Sequence, residues 1–188
     1  MAAGGSSANI HIGPGRLWYA PIGTTEPTSA SAALPSADWE AIGYTEEGSE
    51  VAVELTVDEV EVAEELDPVL YVNSKRTTTL TLQMAEATRK RLALVMGFGA
   101  NESDDASSLE PPDVGSEVGV MLVWDSEENA DGNSANKRWV FRQAKPSGTV
   151  TMSRRKSPEK STIPVDFLIE KPPTAKPFII FPNADGNI

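Results

Sequence analysis

Residues 71–98 read YVNSKRTTTLTLQMAEATRKRLALVMGF, and two periodicities meet in this stretch. From Thr77 to Met84 the side chains alternate: Thr78, Leu80, Leu82 and Met84 fall on one face, and Thr77, Thr79, Thr81 and Gln83 on the other. A period of two, rich in β-branched residues, is the pattern of a half-buried strand. Past Met84 the period lengthens. Met84, Thr88, Leu92 and Val95/Met96 recur at helical spacing and form one stripe. Gly97 offers a C-terminal stop, because glycine enters the left-handed region at little cost. The spacing therefore predicts a long strand feeding a helix over about residues 85–97, the one convincing helix of the chain.

Upstream, Val51, Val53, Leu55 and Val57 share a face opposite Glu50, Ala52, Glu54 and Thr56. At Asp58–Glu59 the apolar phase slips to Val60 and Val62, which calls for a bulge or tight turn near Asp58. Still earlier, residues 1–15 read as a Gly/Ser/Ala-rich arm, Arg16–Ala20 as a first strand, Thr24–Ala37 as a loop without periodicity, and Trp39–Tyr44 as a brief extended segment. Downstream, 99–116 is an unpatterned acidic loop, and Val118–Trp124 is apolar on both faces, as in a fully buried strand. A polar connection over 125–137, containing Asp131-Gly132, joins it to Arg138–Gln143, where Trp139 and Phe141 oppose Arg138 and Arg142. Thr149–Lys156 reads as a further extended piece. Thr162–Glu170 places Ile163, Val165, Phe167 and Ile169 inward, and Pro164 points to an edge strand or a bulge. Phe178–Phe181 is a last strand before a tail at 182–188. Eight to ten strands with one helix predict a mainly β chain: a single domain over 1–188, built as an antiparallel β-sandwich or barrel with one flanking helix and extended terminal arms.

The formal charge of -12 is unevenly placed. Residues 1–74 hold 13 acids and one base, Arg16, whereas residues 75–188 hold 15 of each. Ten carboxylates and no Lys or Arg lie within Glu46–Asp67. Such a block is either a solvated face or the lining of a channel that must not hold a polyanion. Arg89-Lys90-Arg91 and Arg154-Arg155-Lys156 are basic clusters without interleaved aromatics, a poor nucleic-acid signal on an acidic chain. Arg89-Lys90-Arg91 reads either as the solvent face of the helix or as a patch that meets the acidic block of a neighbouring copy. The N-terminus lacks the order of a signal peptide and no apolar run is long enough to span a membrane, so the chain is expected to be made in a cytoplasm.

Few residues suit catalysis. The single histidine, His11, lies in the Gly-rich arm, and the chain has no cysteine, which removes thiol chemistry and the common zinc sites. Gly13-Pro14-Gly15 precedes a strand and is no phosphate loop. DSEENAD at 125–131 departs from a calcium-loop order. Paired carboxylates in the acidic block sit on a charged face rather than in an apolar pocket that would separate their pKa values. No catalytic residue, metal site or cofactor is assigned, and an enzyme is not expected.

Several segments, taken in order, resemble the major tail tube proteins of long, non-contractile-tailed bacteriophages. They are ANIHIGPGRLWYAPIGT (8–24), WEAIGYTEEG (39–48), which is similar to that family's W-x-x-[IL]-G-[YW]-T-x-[ED]-G segment, the Thr-rich strand with its helix, and the closing pieces Ile163–Phe167 and Lys176–Phe178. The resemblance implies a structural virion protein that forms hexameric rings, stacked into the tube through which phage DNA is ejected. Inner sheets would join into a continuous lumen barrel, while an elongated loop and the terminal arms bridge rings. Its implied partners are copies of itself, the tape measure, tail terminator and tail-tip proteins, and transiting double-stranded DNA without specific binding; no membrane is implied. Some of Glu50, Glu54, Glu59, Glu61, Glu64 and Glu65 are then candidates to face the lumen. Arg89, Lys90, Arg91, Arg154, Arg155 and Lys156 are candidates for contacts between subunits. The rival is a free β-sandwich module that binds a carbohydrate or a receptor through exposed Trp18, Trp39, Trp124 or Trp139, of which Trp124 and Trp139 sit in core patterns.

Overall fold

A computed structural model of the protein describes residues 15–35, 37–65, 67–102, 107–128, 134–152 and 161–182. The terminal arm to residue 14, His11, Arg154, Arg155, Lys156 and the tail beyond residue 182 lie outside the described residues. The elements run β1 (Gly15–Pro21), β2 (Glu40–Ala41), β3 (Thr45–Val60), β4 (Leu70–Met84), α1 (Arg89–Val95), β5 (Val120–Glu128), β6 (Ser134–Ser147), β7 (Ile163–Ile169) and β8 (Phe178–Phe181). The expected mainly β, antiparallel chain with one helix is what the structure shows.

All eight strands belong to one antiparallel sheet in the order β2-β1-β5-β6-β7-β4-β3, with β8 on β6. β6 carries β5 along one edge; its other edge pairs with β8 over Arg138–Phe141 and with β7 over Ala144–Ser147. The two ends of this order, β2 and β3, are consecutive in the chain. Only Ile42, Gly43 and Tyr44 separate them, a reach of roughly 10 Å. The sheet must therefore curl until its ends nearly meet, and the link is bonded at both sides: Ile42 N–H donates to the Leu17 carbonyl (2.8 Å) and Ala85 N–H to the Tyr44 carbonyl (2.9 Å). Gly43 makes the turn at φ +91°, a conformation that glycine alone adopts cheaply.

The curl encloses the main core. Leu17 and Tyr19 of β1, Leu80, Leu82 and Met84 of β4, Leu122, Phe141 and Phe167 form one buried cluster with Ile42 of the link and Leu94 and Val95 of α1. A second, smaller cluster lies on the other face of β1, β5 and β6: Ala20, Met121, Val123 and Val140, covered by Trp39. This is why β5 is apolar on both faces. The 24–37 loop that lies over this side has no periodicity because polar contacts hold it. Arg138 binds Asp125 bidentately (2.6 and 2.9 Å) and donates to the Ser29 and Ala32 carbonyls, while Arg142 binds Glu26 bidentately (2.6 and 2.9 Å).

Several boundaries differ from the sequence reading. α1 starts at Arg89 rather than near 85, because Ala85 is still bonded to Tyr44 and Thr88 is the N-cap, its hydroxyl accepting from Arg91 N–H at 3.3 Å. The helix ends as expected. Gly97 at φ +84° lets Phe98 N–H reach the Ala93 carbonyl (3.1 Å) and its own N–H reach the Leu94 carbonyl (3.3 Å), a Schellman closure. β5 runs on to Glu128 and β6 begins at Ser134, so most of the 125–137 connection is strand; its polar residues pair across the ladder, as Asp125 does with Arg138. β7 is an interior strand despite Pro164. The proline lies where β7 has no partner on its β6 side, since that pairing stops at Asp166. Thr149–Met152 are not in a strand.

Candidate assembly surface

β3 and β4 pair from Thr45↔Met84 to Val60↔Leu70, but β7 covers β4 only over Thr79–Met84. From Thr78 outward, among the described residues, β4 of this hairpin pairs with no strand but β3. Its free part, nine residues of β4, is about 30 Å long, against about 23 Å for the seven-residue strands β1 and β7. The registers place the hairpin tip at the same end of the sheet as the Glu128↔Ser134 pair of β5 and β6, and α1 at the opposite end. The molecule is thus polar along its strands.

The core-side face of the hairpin continues outward through Thr78, Val53, Arg76, Leu55, Val57, Asn73, Glu59 and Tyr71. The opposite face carries Glu50↔Thr81, Ala52↔Thr79, Glu54↔Thr77, Thr56↔Lys75, Asp58↔Val72 and Val60↔Leu70. The expected bulge is present, but its extra residue belongs to the partner strand: β3 keeps its alternation, and Ser74 of β4 is skipped between Lys75↔Thr56 and Asn73↔Val57. Its hydroxyl donates to the Thr56 carbonyl at 3.4 Å. At the base, Arg76 lies over the Phe178 ring at 5.5 Å, and Phe178 stacks on Trp139 at 5.6 Å.

Beyond that base both faces are in water, which is an uncommon place for apolar side chains. Leu55, Leu70 and Tyr71 are 55%, 56% and 60% exposed, and Val53, Val57, Val60, Val62, Val69 and Val72 are also exposed. A lone two-stranded ribbon is marginally stable in water. A contiguous apolar patch marks a surface that another chain covers. Among the described residues no strand pairs the outer edge of β3, which makes it a template on which a further strand adds.

The six candidate acids are all exposed, but they do not share a surface. Glu50 and Glu54 lie together on the threonine-rich face; Glu59 is across from Tyr71 on the other; Glu61, Glu64 and Glu65 lie in the tip, where Glu65 N–H reaches the Val62 carbonyl. The structure adds an acid that the sequence reading missed. Asp166 of β7 pairs with Thr81 and accepts its hydroxyl proton at 2.7 Å, beside Glu50. Its signal was an outward position in a strand whose inward positions were all apolar.

The basic triplet on α1 is neither a plain solvent face nor an open patch. Arg91 is buried, and its guanidinium donates to the Tyr19 hydroxyl (2.8 Å), Glu40 (3.3 Å) and the Ala41 carbonyl. Lys90 pairs with Glu40 at 2.9 Å and Arg89 with Glu102 at 3.1 Å. Burial pushes the Tyr19 hydroxyl up to about 12, against the opposing pull of Arg91. Burial also acts to raise the Glu40 carboxyl, but the hydrogen bond and charge of Lys90, with the charge of Arg91, hold it below its ordinary value. Lys90 and Arg91 pin α1 to β1 and β2, and Arg89 ties it to Glu102 and the Ser108 carbonyl of the loop that follows.

Of the four tryptophans, Trp39 is buried, and Trp18, Trp124 and Trp139 are half-buried against the two clusters. None offers a bare stacking platform. Among the described residues no helix is long and apolar enough to cross a membrane.

No curated protein matches the chain. A family model described as phage tail tube protein matches residues 2–157, well over half of its length. The chain therefore belongs to the phage tail tube protein family and is a structural component of the virion tail.

Proposed function

We propose that this protein polymerises as stacked hexameric rings, whose central channel conducts the genome during ejection. The projecting β3–β4 hairpin, with exposed apolar side chains on both faces, is the observation that carries this reading: a polar molecule with an uncovered element at one end propagates head-to-tail rather than closing as a pair. The tape measure, terminator and tail-tip proteins of the same phage are its further partners, and DNA passes without specific binding.

Within such a tube the threonine-rich face bearing Glu50, Glu54 and Asp166 lines the channel. Carboxylates within a Debye length of DNA, about 8–10 Å, repel its phosphates, and threonine hydroxyls keep the wall wet without holding it. Glu59, on the opposite face, and the tip acids Glu61, Glu64 and Glu65 serve elsewhere.

Electron microscopy of the purified protein over a concentration series tests the class: rings or tubes with a central channel are expected, and a persistent monomer that binds a glycan overturns it. Tails carrying E50Q, E54Q and D166N together are expected to eject DNA more slowly. Unchanged ejection removes the lumen assignment.

A further inference from the structure

The tip of the hairpin combines apolar side chains, Val60, Val62, Val69, Leu70 and Tyr71, with Asp58, Glu59, Glu61, Glu64, Glu65 and Asp67, and holds no base. Whatever receives it must offer an apolar floor and positive charge. The described cations narrow the search. Arg89, Lys90 and Arg91 are paired with Glu102 and Glu40, Arg138 with Asp125, Arg142 with Glu26 and Lys145 with Glu170. Arg16 and Lys137 have partners of their own, and Lys75 and Arg76 belong to the hairpin itself. Lys171 and Lys176 are exposed and, among the described residues, have no ion pair. Both line one hollow of about 570 Å³ between β7 and β8, together with Pro173, Ala175 and the Glu26–Arg142 pair. Arg142 already neutralises Glu26 there, so the two lysines leave the hollow positive.

Resting on the tube reading above, we infer that the Lys171/Lys176 hollow of one copy receives the acidic, apolar hairpin tip of the next copy. The free hairpin, about 30 Å, rises past the end of β7 on the side away from α1, so its tip faces a copy stacked on that end. The contact is heterologous, tip to hollow, and leaves the joined pair with one unused tip and one unused hollow, which is the condition for a chain of copies.

The sequence has no cysteine, so a pair introduced as E64C and K176C in the full chain reports this contact alone. Under oxidation in assembled tubes, a ladder of covalent oligomers is expected from the double variant and none from either single variant. Tubes that form without a ladder, or with dimers only, overturn the docking site and leave the tube reading standing. Wild-type protein that makes neither rings nor tubes overturns both. Should the cysteine variant itself fail to assemble, charge reversal decides: K171E/K176E is expected to raise the concentration needed for assembly about tenfold, and adding E61K/E64K/E65K in the same chain to lower it again. Absence of that rescue overturns the inference.

Discussion

The Arg91 guanidinium donates to the Tyr19 hydroxyl across 2.8 Å, joining the one helix to the first strand over 72 positions of sequence. Its terminal nitrogens also donate to Glu40 and the Ala41 carbonyl, so one side chain serves three acceptors at the seam where β1, β2 and α1 meet. Replacing it by methionine keeps most of the stem and strands those acceptors. A loss of about 2–3 kcal/mol is expected in urea unfolding. Lys90→Ala, which removes a more accessible pair with Glu40, is expected to cost below about 1 kcal/mol.

The same seam sets an alkaline limit. The Tyr19 pKa is raised from 10.0 to about 12 in the folded state. The stabilisation it represents is intact below pH 10 and is lost as pH rises towards 12, on the order of 2–3 kcal/mol. Chemical denaturation at pH 9 and pH 12 measures it, and Tyr19→Phe is expected to flatten that dependence. Glu40 works at the other end: its lowered pKa contributes above the ordinary carboxylate range and is lost as pH falls through the folded value.

Gly97 ends α1 in a left-handed conformation, and a Cβ there would come within 2.9 Å of Glu117 Cβ. Gly97→Ala is expected to cost about 1–2 kcal/mol and to lower the melting temperature by several degrees, read by circular dichroism. Tube formation by the folded fraction should be unaffected.

Leu55→Ser, Val57→Ser and Tyr71→Ser together are expected to do the reverse. These side chains touch water on the monomer, so each change should shift stability by no more than about 0.5 kcal/mol. Assembly, followed by light scattering, should be lost. An assembling triple variant would remove the hairpin from the interface.

Strand content was legible because period two is a local property: Thr77–Met84, Val51–Val57 and Ile163–Ile169 each show their faces in their own residues. What was not legible depends on distant partners. Periodicity alone starts the helix too early because nothing near Ala85 reveals its bond to Tyr44, 41 positions away. The 24–37 loop looked structureless because its order comes from Arg138 and Arg142, more than a hundred residues later. The Arg89-Lys90-Arg91 triplet looked like a surface because charge is visible in sequence and burial by Tyr19 is not. For the acids, composition located the block. The division of Glu50 and Glu54 from Glu59 required the register of β3 on β4.

The three-residue link between β2 and β3 has a mechanical consequence. Where a barrel closes only by hydrogen bonds, a load on one edge strand peels the ladder open one bond at a time. Here a pull on the hairpin is resisted in shear, with the six β4–β7 pairs from Thr79 to Met84 strained together. The other arm of the load runs down β3 into Tyr44, Gly43 and Ile42, whose covalent bonds carry it into β2, held to β1 by the Ile42 hydrogen bond to the Leu17 carbonyl and by the Trp18↔Ala41 and Tyr19↔Glu40 pairs. A subunit tethered by that hairpin is therefore sewn, rather than zipped, against traction along its strands.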